Sequence, residues 1–179
     1  CVVLPYPSLS QWMMISASRI SYLSLKSMSN SKIFQLFNTT NLEFPVAEKT
    51  LNELINLFIQ RHSCTIEFIE IVLVDDLEIR RINSEYLQRD YITDIISFHY
   101  HKVSEFRDAI SRPSLEGTMY CCLPRIIEQS RELNVKLHTE CLRILVHGLL
   151  HILGFEDATV EQKKIMTIEE DAIIQQITI

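Results

Sequence analysis

Residues 147–157 read His-Gly-Leu-Leu-His-Ile-Leu-Gly-Phe-Glu-Asp, and this stretch decides the fold because it predicts a buried helix that carries a metal site. His147 and His151 stand four residues apart within the apolar run 142–153. At that spacing two side chains share one helix face with their Cβ atoms about 5–6 Å apart, close enough to bind one metal ion. Gly154 predicts the end of the helix, since glycine accepts the left-handed backbone that helix C-termini often need.

The turn after Gly154 can bring Glu156 or Asp157 back toward the histidines as a third ligand. Two imidazoles and one carboxylate would leave zinc one open position, which distinguishes catalytic zinc sites from closed structural ones. The alternative is that both histidines are satisfied core residues and that Gly148 is a packing glycine. Gly148 also stands where the metalloprotease motif H-E-x-x-H has its glutamate base, which argues against a peptidase.

The composition is that of an ordinary globular domain. A chain of 179 residues with 47% hydrophobic content predicts one soluble domain with a sizeable core. No apolar run approaches the ~20 residues of a membrane helix, so no membrane partner is expected. The five cysteines form no C-x-x-C pair, which argues against disulfides and a cysteine zinc site and favours a reducing cytoplasm. The net charge of −6 disfavours broad nucleic-acid binding, so RNA would have to meet a local basic cleft or arrive with another protein.

Residues 1–27 differ from the rest of the chain because they contain no acidic residue, many serines and only Arg19 and Lys26 as bases. We expect them to be an atypical N-terminal extension, non-native or disordered, with the native protein beginning at Met28 and the domain covering residues 28–179. The alternative is a transit peptide, which would give an organellar instead of a cytoplasmic location. The absence of an Arg-rich amphipathic helix favours the first interpretation.

The hydrophobic periodicity predicts a single α+β domain, in which a mixed sheet of about four strands packs with about five helices. The metal site is expected on a central helix and its exit turn. The predicted strands are 31–37, 66–74, 92–100 and 118–123, and 107–113 is expected to be a mobile loop. The predicted helices are 47–61, 75–88, 124–133, the metal helix capped by Thr139, and a last helix from Thr159 or Val160 to near Gln176.

Four stretches of the chain resemble the motifs of one known family. Residues 147–157 are similar to H-G-x-L-H-L-x-G-Y-D-H. Residues 83–86, Asn-Ser-Glu-Tyr, and 93–98, Thr-Asp-Ile-Ile-Ser-Phe, resemble N-x-x-Y-R and T-D-V-L-S-F. Residues 115–121, Leu-Glu-Gly-Thr-Met-Tyr-Cys, resemble L-G-D-I-x-I. From about residue 31 to the C-terminus the chain thus resembles the YbeY family of metal-dependent, single-strand-specific endoribonucleases of ribosomal RNA maturation.

The resemblance implies a hydrolase that binds one zinc ion per chain and cuts single-stranded regions of ribosomal RNA. The ribosomal subunit or ribosomal proteins would be its partners. His147, His151 and Asp157 are the implied metal ligands, with Asp157 replacing the family's third histidine and Glu156 its neighbouring aspartate. Two histidines with a carboxylate are a known catalytic zinc set. The harder oxygen ligand could shift the preference toward other divalent metals.

The residues and the resemblance together give five candidate catalytic residues, which are Arg89, Asp94, Ser97, Arg143 and Glu156. Leu87 stands where the family has its arginine after N-x-x-Y, so if that arginine binds the scissile phosphate, catalysis is weakened here or the role has moved to Arg89. Asp94 and Ser97 would line the cleft or orient water, or else serve turn chemistry at a strand edge.

Two of these candidates lie on either side of the two histidines. Arg143 stands four residues before His147, so it would meet a phosphate at the rim or remain a solvated arginine at the helix start. Glu156 would support a ligand or act as a general base, or else be a plain surface acid.

These features leave three function classes open. A metal-dependent endoribonuclease acting on ribosomal RNA is the expected function. The alternative is a ribosome-maturation or RNA-binding factor that keeps the metal site with reduced or no nuclease activity, which Asp157 and Leu87 motivate. A peptide metallohydrolase is the third class, and Gly148 argues against it.

Overall fold

The computed structural model describes residues 3–4, 33–100 and 112–177, and these ranges contain five helices and one mixed sheet. The architecture confirms the predicted α+β fold with four longer strands. The strands are β1 (Val3–Leu4), β2 (Phe34–Asn38), β3 (Thr65–Val74), β4 (Ile95–His99) and β5 (Ser114–Cys122). The helices are α1 (Glu48–His62), α2 (Asp76–Leu87), α3 (Leu123–Glu132), α4 (Leu137–Leu153) and α5 (Val160–Ile174).

The sheet has the strand order β1-β4-β5-β3-β2, and every neighbouring pair is parallel except β4 with β5. The inner strand β3 is rich in β-branched residues and is buried along both faces, as expected where helices cover both sides of a sheet. Ile71 of β3 pairs with Met119 of β5, which pairs with Ser97 of β4. These paired residues share the face of the sheet on which α4 lies.

Two glycines allow α4 to lie directly on the sheet. A Cβ on Gly148 would be 2.5 Å from Met119 Sδ, so a side chain there would force the helix away. On the sheet side, a Cβ on Gly117 would collide with the carbonyl oxygen of Phe98 and would lie 3.0 Å from Ile152 Cδ1 of the helix. The metal helix therefore owes its position on the sheet to these two close approaches.

The opposite face of the sheet is covered by α2. Its buried residues Ile79 and Ile82 pack in one cluster with Phe98 of β4. The helix begins after Asp75, whose side chain accepts a hydrogen bond from the backbone N–H of Glu78 at 2.9 Å. The predicted helix at 75–88 is confirmed to within one residue at each end.

The predicted start of α4 is wrong, whereas that of α5 is confirmed. Thr139 was predicted to cap the metal helix, but the helix begins at Leu137 after Lys136, which makes no side-chain cap. Leu137 packs against the core, and that burial extends the helix toward its N-terminus. The predicted start of α5 is confirmed, because Thr159 and Gln162 form a reciprocal capping box there.

Two strands differ in length from their predictions. β5 begins at Ser114 instead of at residue 118, since Gly117 lies inside the strand, where the backbone of Phe98 approaches it closely, instead of preceding the strand. β4 covers only Ile95–His99 of the predicted 92–100. Residues 92–94 precede the strand without regular structure, and the carboxylate of Asp94 accepts the backbone N–H of Ile95 at 2.8 Å.

Two predictions concern segments outside the described residues. The boundary expected between residues 27 and 28 lies there, and so does the part 107–111 of the expected loop. The backbone of Val3–Leu4 is described and pairs in parallel with β4, with Val3 opposite Ser97. Within the described ranges, no helix combines the length and the apolar character that crossing a membrane requires.

Candidate metal centre

His147 and His151 lie on one face of α4 with their imidazole rings nearly perpendicular, at 88°, and their ring centroids 4.5 Å apart. Their two Nε2 atoms are separated by 3.1 Å. Asp157 follows the helix and completes the group, in which one ligand atom from each residue lies within 4.8 Å of the others. The structure thus brings together three residues that could hold a metal ion.

The turn that returns Asp157 to the histidines is a Schellman motif at the end of α4. Gly154 has a φ of 104°, and its N–H donates to the carbonyl of His151 at 2.9 Å. The N–H of Phe155 donates to the carbonyl of Leu150, also at 2.9 Å. Because this φ strains any residue with a side chain, the turn requires glycine.

The Nδ1 atoms of both imidazoles have hydrogen-bond acceptors. His147 Nδ1 lies 2.8 Å from Glu170 Oε1, and His151 Nδ1 lies 2.9 Å from the carbonyl oxygen of Phe155. A carboxylate and a backbone carbonyl only accept, so each Nδ1 carries the hydrogen. In the neutral rings, both Nε2 atoms therefore direct lone pairs toward the same point.

This donor set fits a divalent metal ion. Two lone pairs on atoms 3.1 Å apart repel each other unless a proton or a cation lies between them. In a tetrahedral zinc site with Zn–N bonds of ~2.0–2.1 Å, two nitrogen ligands are roughly 3.3 Å apart. The observed spacing is close to that value, and Nδ1 hydrogen bonds of this kind are the usual means of orienting metal-binding histidines.

The protonation state of His151 also suits a ligand. Burial, together with the neighbouring imidazole of His147, lowers the pKa of His151 to about 4 despite the nearby carboxylate of Asp157. His151 is only 2% exposed, so the charged form of its imidazole is poorly solvated. Since histidine must be neutral to bind a metal, His151 is in the required form at neutral pH.

Glu170 of α5 is the residue of this site that the sequence analysis missed. It is 6% exposed, and its second oxygen accepts a hydrogen bond from Arg143 Nη1 at 3.1 Å while the first serves His147. Arg143 Nη2 donates to Asp171 at 2.7 Å. The sequence could have indicated Glu170, because it follows the buried Met166 by four residues and therefore lies on the same face of the helix. An acid on such a face needs a partner.

A cavity of about 290 Å³ adjoins the ligand group. Its wall contains four carboxylates and two cations alongside apolar and neutral side chains. The lining residues are Asp94, Gln129, Leu133, Glu140, Arg143, Ile144, His147, Asp157, Lys163, Met166, Thr167 and Glu170. A ligand that enters this cavity can therefore reach His147 and Asp157.

Asp94 lies in the cavity wall and is held just before β4. Its Oδ1 accepts the N–H of Ile95 at 2.8 Å, and its Oδ2 is 3.4 Å from Gln129 Nε2. Gln129 also donates to Glu140 at 2.8 Å, which links two carboxylates of the wall through one amide. An acid held in this way can orient a water molecule or accept its proton.

Arg89 and Glu156 lie outside the described lining of the cavity. Arg89 is exposed in the loop before β4, and its Nη1 donates to the hydroxyl of Tyr91 at 3.2 Å. Glu156 is exposed and accepts a hydrogen bond from Gln162 Nε2 at 3.1 Å. Their side chains serve local contacts at the surface, and the roles expected for them in catalysis stay predictions.

Ser97 also lies outside the described cavity lining, because it is fully buried between the sheet and α4. Its Oγ is 3.1 Å from the position that a Cβ on Gly148 would occupy. Within the described part of the chain, this hydroxyl has no hydrogen-bond partner. Helix–sheet packing accounts for its position, and a role in orienting water stays a prediction.

The chain matches known proteins over most of its length. A profile described as endoribonuclease YbeY matches residues 35–178. Endoribonuclease YbeY of Chlorobaculum tepidum is 34% identical over 137 residues, which cover 76% of this chain and 92% of the relative. That of Chlorobaculum parvum is 34% identical over 143 residues, which cover 80% of this chain and 94% of the relative.

The solved structures agree at the level of the fold. The solution structure of TM1509 from Thermotoga maritima superposes with a TM-score of 0.52 at 19% identity, covering 80% of this chain and 88% of that one. The metal-site stretch, the fold and these matches all point to one assignment. The chain belongs to the YbeY family.

Proposed function

We propose that this protein is a zinc-dependent endoribonuclease that hydrolyses single-stranded regions of ribosomal RNA during ribosome maturation in the cytoplasm. Its relatives carry the name endoribonuclease, which supports RNA as the substrate and hydrolysis as the reaction. The ribosomal subunit or ribosomal proteins would be its partners. The nuclease domain would cover residues 28–179, with residues 1–27 as an extension.

The observation that carries the proposal is the pair of imidazoles with both Nδ1–H groups engaged and both Nε2 atoms 3.1 Å apart. Asp157 adds a carboxylate to this pair, and the set of three ligands leaves a fourth position for water or substrate. A buried structural histidine pair would not require a solvent-accessible cavity beside it. Here the cavity wall includes His147 and Asp157.

The side chains around this group divide the work of hydrolysis. A bound divalent metal supplies Lewis-acid polarisation of the phosphate and a water molecule with its pKa lowered toward ~7. Glu170 and the carbonyl of Phe155 hold the two imidazoles in orientation. Arg143 holds Glu170 in turn, so we propose a positioning role for this arginine. We propose that Asp94, which lines the cavity together with His147 and Asp157, orients the attacking water.

One observation favours a second candidate function, an RNA-binding maturation factor with reduced or no nuclease activity. Neither arginine expected to bind a phosphate is available in the cavity. Arg89 lies outside the described wall, and Arg143 donates to both Glu170 and Asp171. Without an arginine on the phosphate, a nuclease would lose part of its transition-state stabilisation.

Cleavage of RNA by the purified, zinc-loaded protein decides between the two functions. We expect a labelled single-stranded RNA to be cut, cutting to stop with a chelator, and added zinc to restore it. His151→Ala should lose both stoichiometric zinc and cleavage, while a duplex of the same sequence should survive. Protein that binds one zinc ion and leaves single-stranded RNA intact would instead support the binding factor. Equal activity with manganese or magnesium would contradict the assignment of zinc.

A further inference from the structure

Lys163 is a cation in the wall of the metal cavity that is not engaged by an acid. It lies near the start of α5 and is exposed, and it shares the cavity wall with His147 and Asp157. Among residues 33–100 and 112–177, its ammonium group makes no ion pair and no hydrogen bond. By contrast, both terminal nitrogens of Arg143, the other cation of the wall, donate to carboxylates.

The charge of the cavity makes this ammonium group important for any anionic ligand. The wall holds four carboxylates, which are Asp94, Glu140, Asp157 and Glu170, against two cations. A divalent metal ion offsets this excess of negative charge but leaves the wall without a net positive charge that would attract a phosphodiester. Since Arg143 is already neutralised by its partners, Lys163 is the described group in the wall that can attract a phosphate.

We propose that Lys163 binds a phosphate group of the RNA substrate beside the metal ligands. The proposal rests on the proposed endoribonuclease function and assigns the cation that this function needs. A lysine presents a compact charge on a flexible stem, so it can follow the phosphate from the ground state to the transition state. Contacts of this kind position the backbone and add affinity without reading the base sequence.

Lys164 provides a matched control on the same helix. It is the next residue and is likewise exposed, but it is not among the described residues of the cavity wall. A step of one residue turns a helix by about 100°, so the two side chains leave α5 in different directions. Lys163→Gln and Lys164→Gln lower the net charge of the protein by the same amount at the same turn of α5. A difference in RNA affinity between the two variants therefore reflects the position of Lys163 in the cavity and not the net charge.

The test measures binding of the zinc-loaded full chain to a short, fluorescein-labelled single-stranded RNA. Phosphorothioate linkages keep the charge of the backbone and slow its cleavage, and a gel checks that the probe stays intact. We expect Lys163→Gln to weaken RNA binding about fivefold or more, because this is the contribution of one close pair of opposite charges in a solvent-exposed site. The slope of log affinity against log salt should fall in magnitude by about 0.7. Lys163→Arg should restore both quantities, and Lys164→Gln should match the wild type.

Equal behaviour of Lys163→Gln and Lys164→Gln would overturn the proposal, as would the absence of RNA binding by the wild type. Thermal denaturation of each variant verifies that the fold is retained. Cleavage separates this proposal from the proposed function. Wild-type protein that binds RNA through Lys163 yet never cuts it supports the lysine and refutes the nuclease. Wild-type protein that cuts RNA at a rate unaffected by Lys163→Gln refutes the lysine alone.

Discussion

Replacing Glu170 with glutamine or alanine should weaken zinc binding although Glu170 is not itself a ligand. Its Oε1 accepts the Nδ1–H of His147 at 2.8 Å, which fixes the ring and directs Nε2 toward His151. A carboxylate in that position also makes the imidazole a stronger donor to the metal. Both contributions depend on a residue that follows His147 by 23 positions in the chain.

The two substitutions should lower the zinc affinity by different factors. Loss of such a hydrogen-bond partner typically lowers metal affinity by about 10–100-fold, or ~1.4–2.8 kcal/mol. Glutamine has the same size and keeps an acceptor but lacks the charge, so we expect Glu170→Gln to lower the zinc affinity by a factor near the smaller of these two values. Alanine removes the acceptor and leaves Arg143 with Asp171 as its acidic partner, so Glu170→Ala should lie near the upper limit.

The neighbouring acid supplies the control for this experiment. Glu169 forms an ion pair with Arg61 and lies 3.6 Å from His62, on a different contact from the metal site. Glu169→Gln should cost no more than ~1 kcal/mol of stability, as expected for a partly exposed pair. Its zinc affinity should equal that of the wild type.

Competition with a chromophoric zinc chelator measures all four proteins at one pH and one ionic strength. The order of affinity should be wild type and Glu169→Gln first, then Glu170→Gln, and then Glu170→Ala. Circular dichroism establishes that each variant is folded before zinc is added. If Glu170→Ala binds zinc as tightly as Glu169→Gln, the carboxylate does not set the orientation of His147, and the argument from the two Nδ1 contacts fails.

Three further predictions follow from the same geometry. Asp157→Ala should lower zinc affinity at least tenfold, and Glu156→Ala should leave it unchanged in the same chelator assay, because only Asp157 is grouped with the histidines; the reverse order would assign the third ligand to Glu156. Gly148→Ala should destabilise the protein by about 1–3 kcal/mol in chemical denaturation, since its Cβ would lie 2.5 Å from Met119 Sδ; an unchanged midpoint would show that α4 can shift. Burial lowers the pKa of His62 below its ordinary value of 6.5, so on acidification the unfolded chain takes up this proton first, and stability is lost as the pH falls below 6.5. The difference in unfolding free energy between wild type and His62→Phe should therefore change across that window, and a constant difference would contradict the shift.

Much of the metal helix could be predicted because its determinants are local. The spacing of His147 and His151 sets their shared face through helix geometry alone. Gly154 ends the helix through its own backbone conformation, since its φ is 104°. The same holds for the capping box at Thr159, whose two hydrogen bonds span three residues. Such features survive in any tertiary setting.

The predictions that failed or stay open depended on neighbours that are distant in the chain. The strand predicted at 118–123 begins at Ser114, and only the approach of Phe98 and α4 explains why Gly117 lies within β5. For Ser97 the sequence left a place in the cleft and a turn at a strand edge open, and only the packing of Gly148 over it shows that its hydroxyl is buried. Periodicity identifies the face on which a residue lies, but not the element that covers that face.

The sequence by itself therefore determined the helix with its two histidines, its glycine exit and the α+β class, because each follows from short-range periodicity and backbone preference. Only the tertiary structure decided how the site is completed. It set Glu170 of α5 against His147, engaged Arg143 with two acids and left Lys163 facing the cavity. These contacts join residues of different elements, and their energies depend on burial and charge that exist only when the helices have packed together.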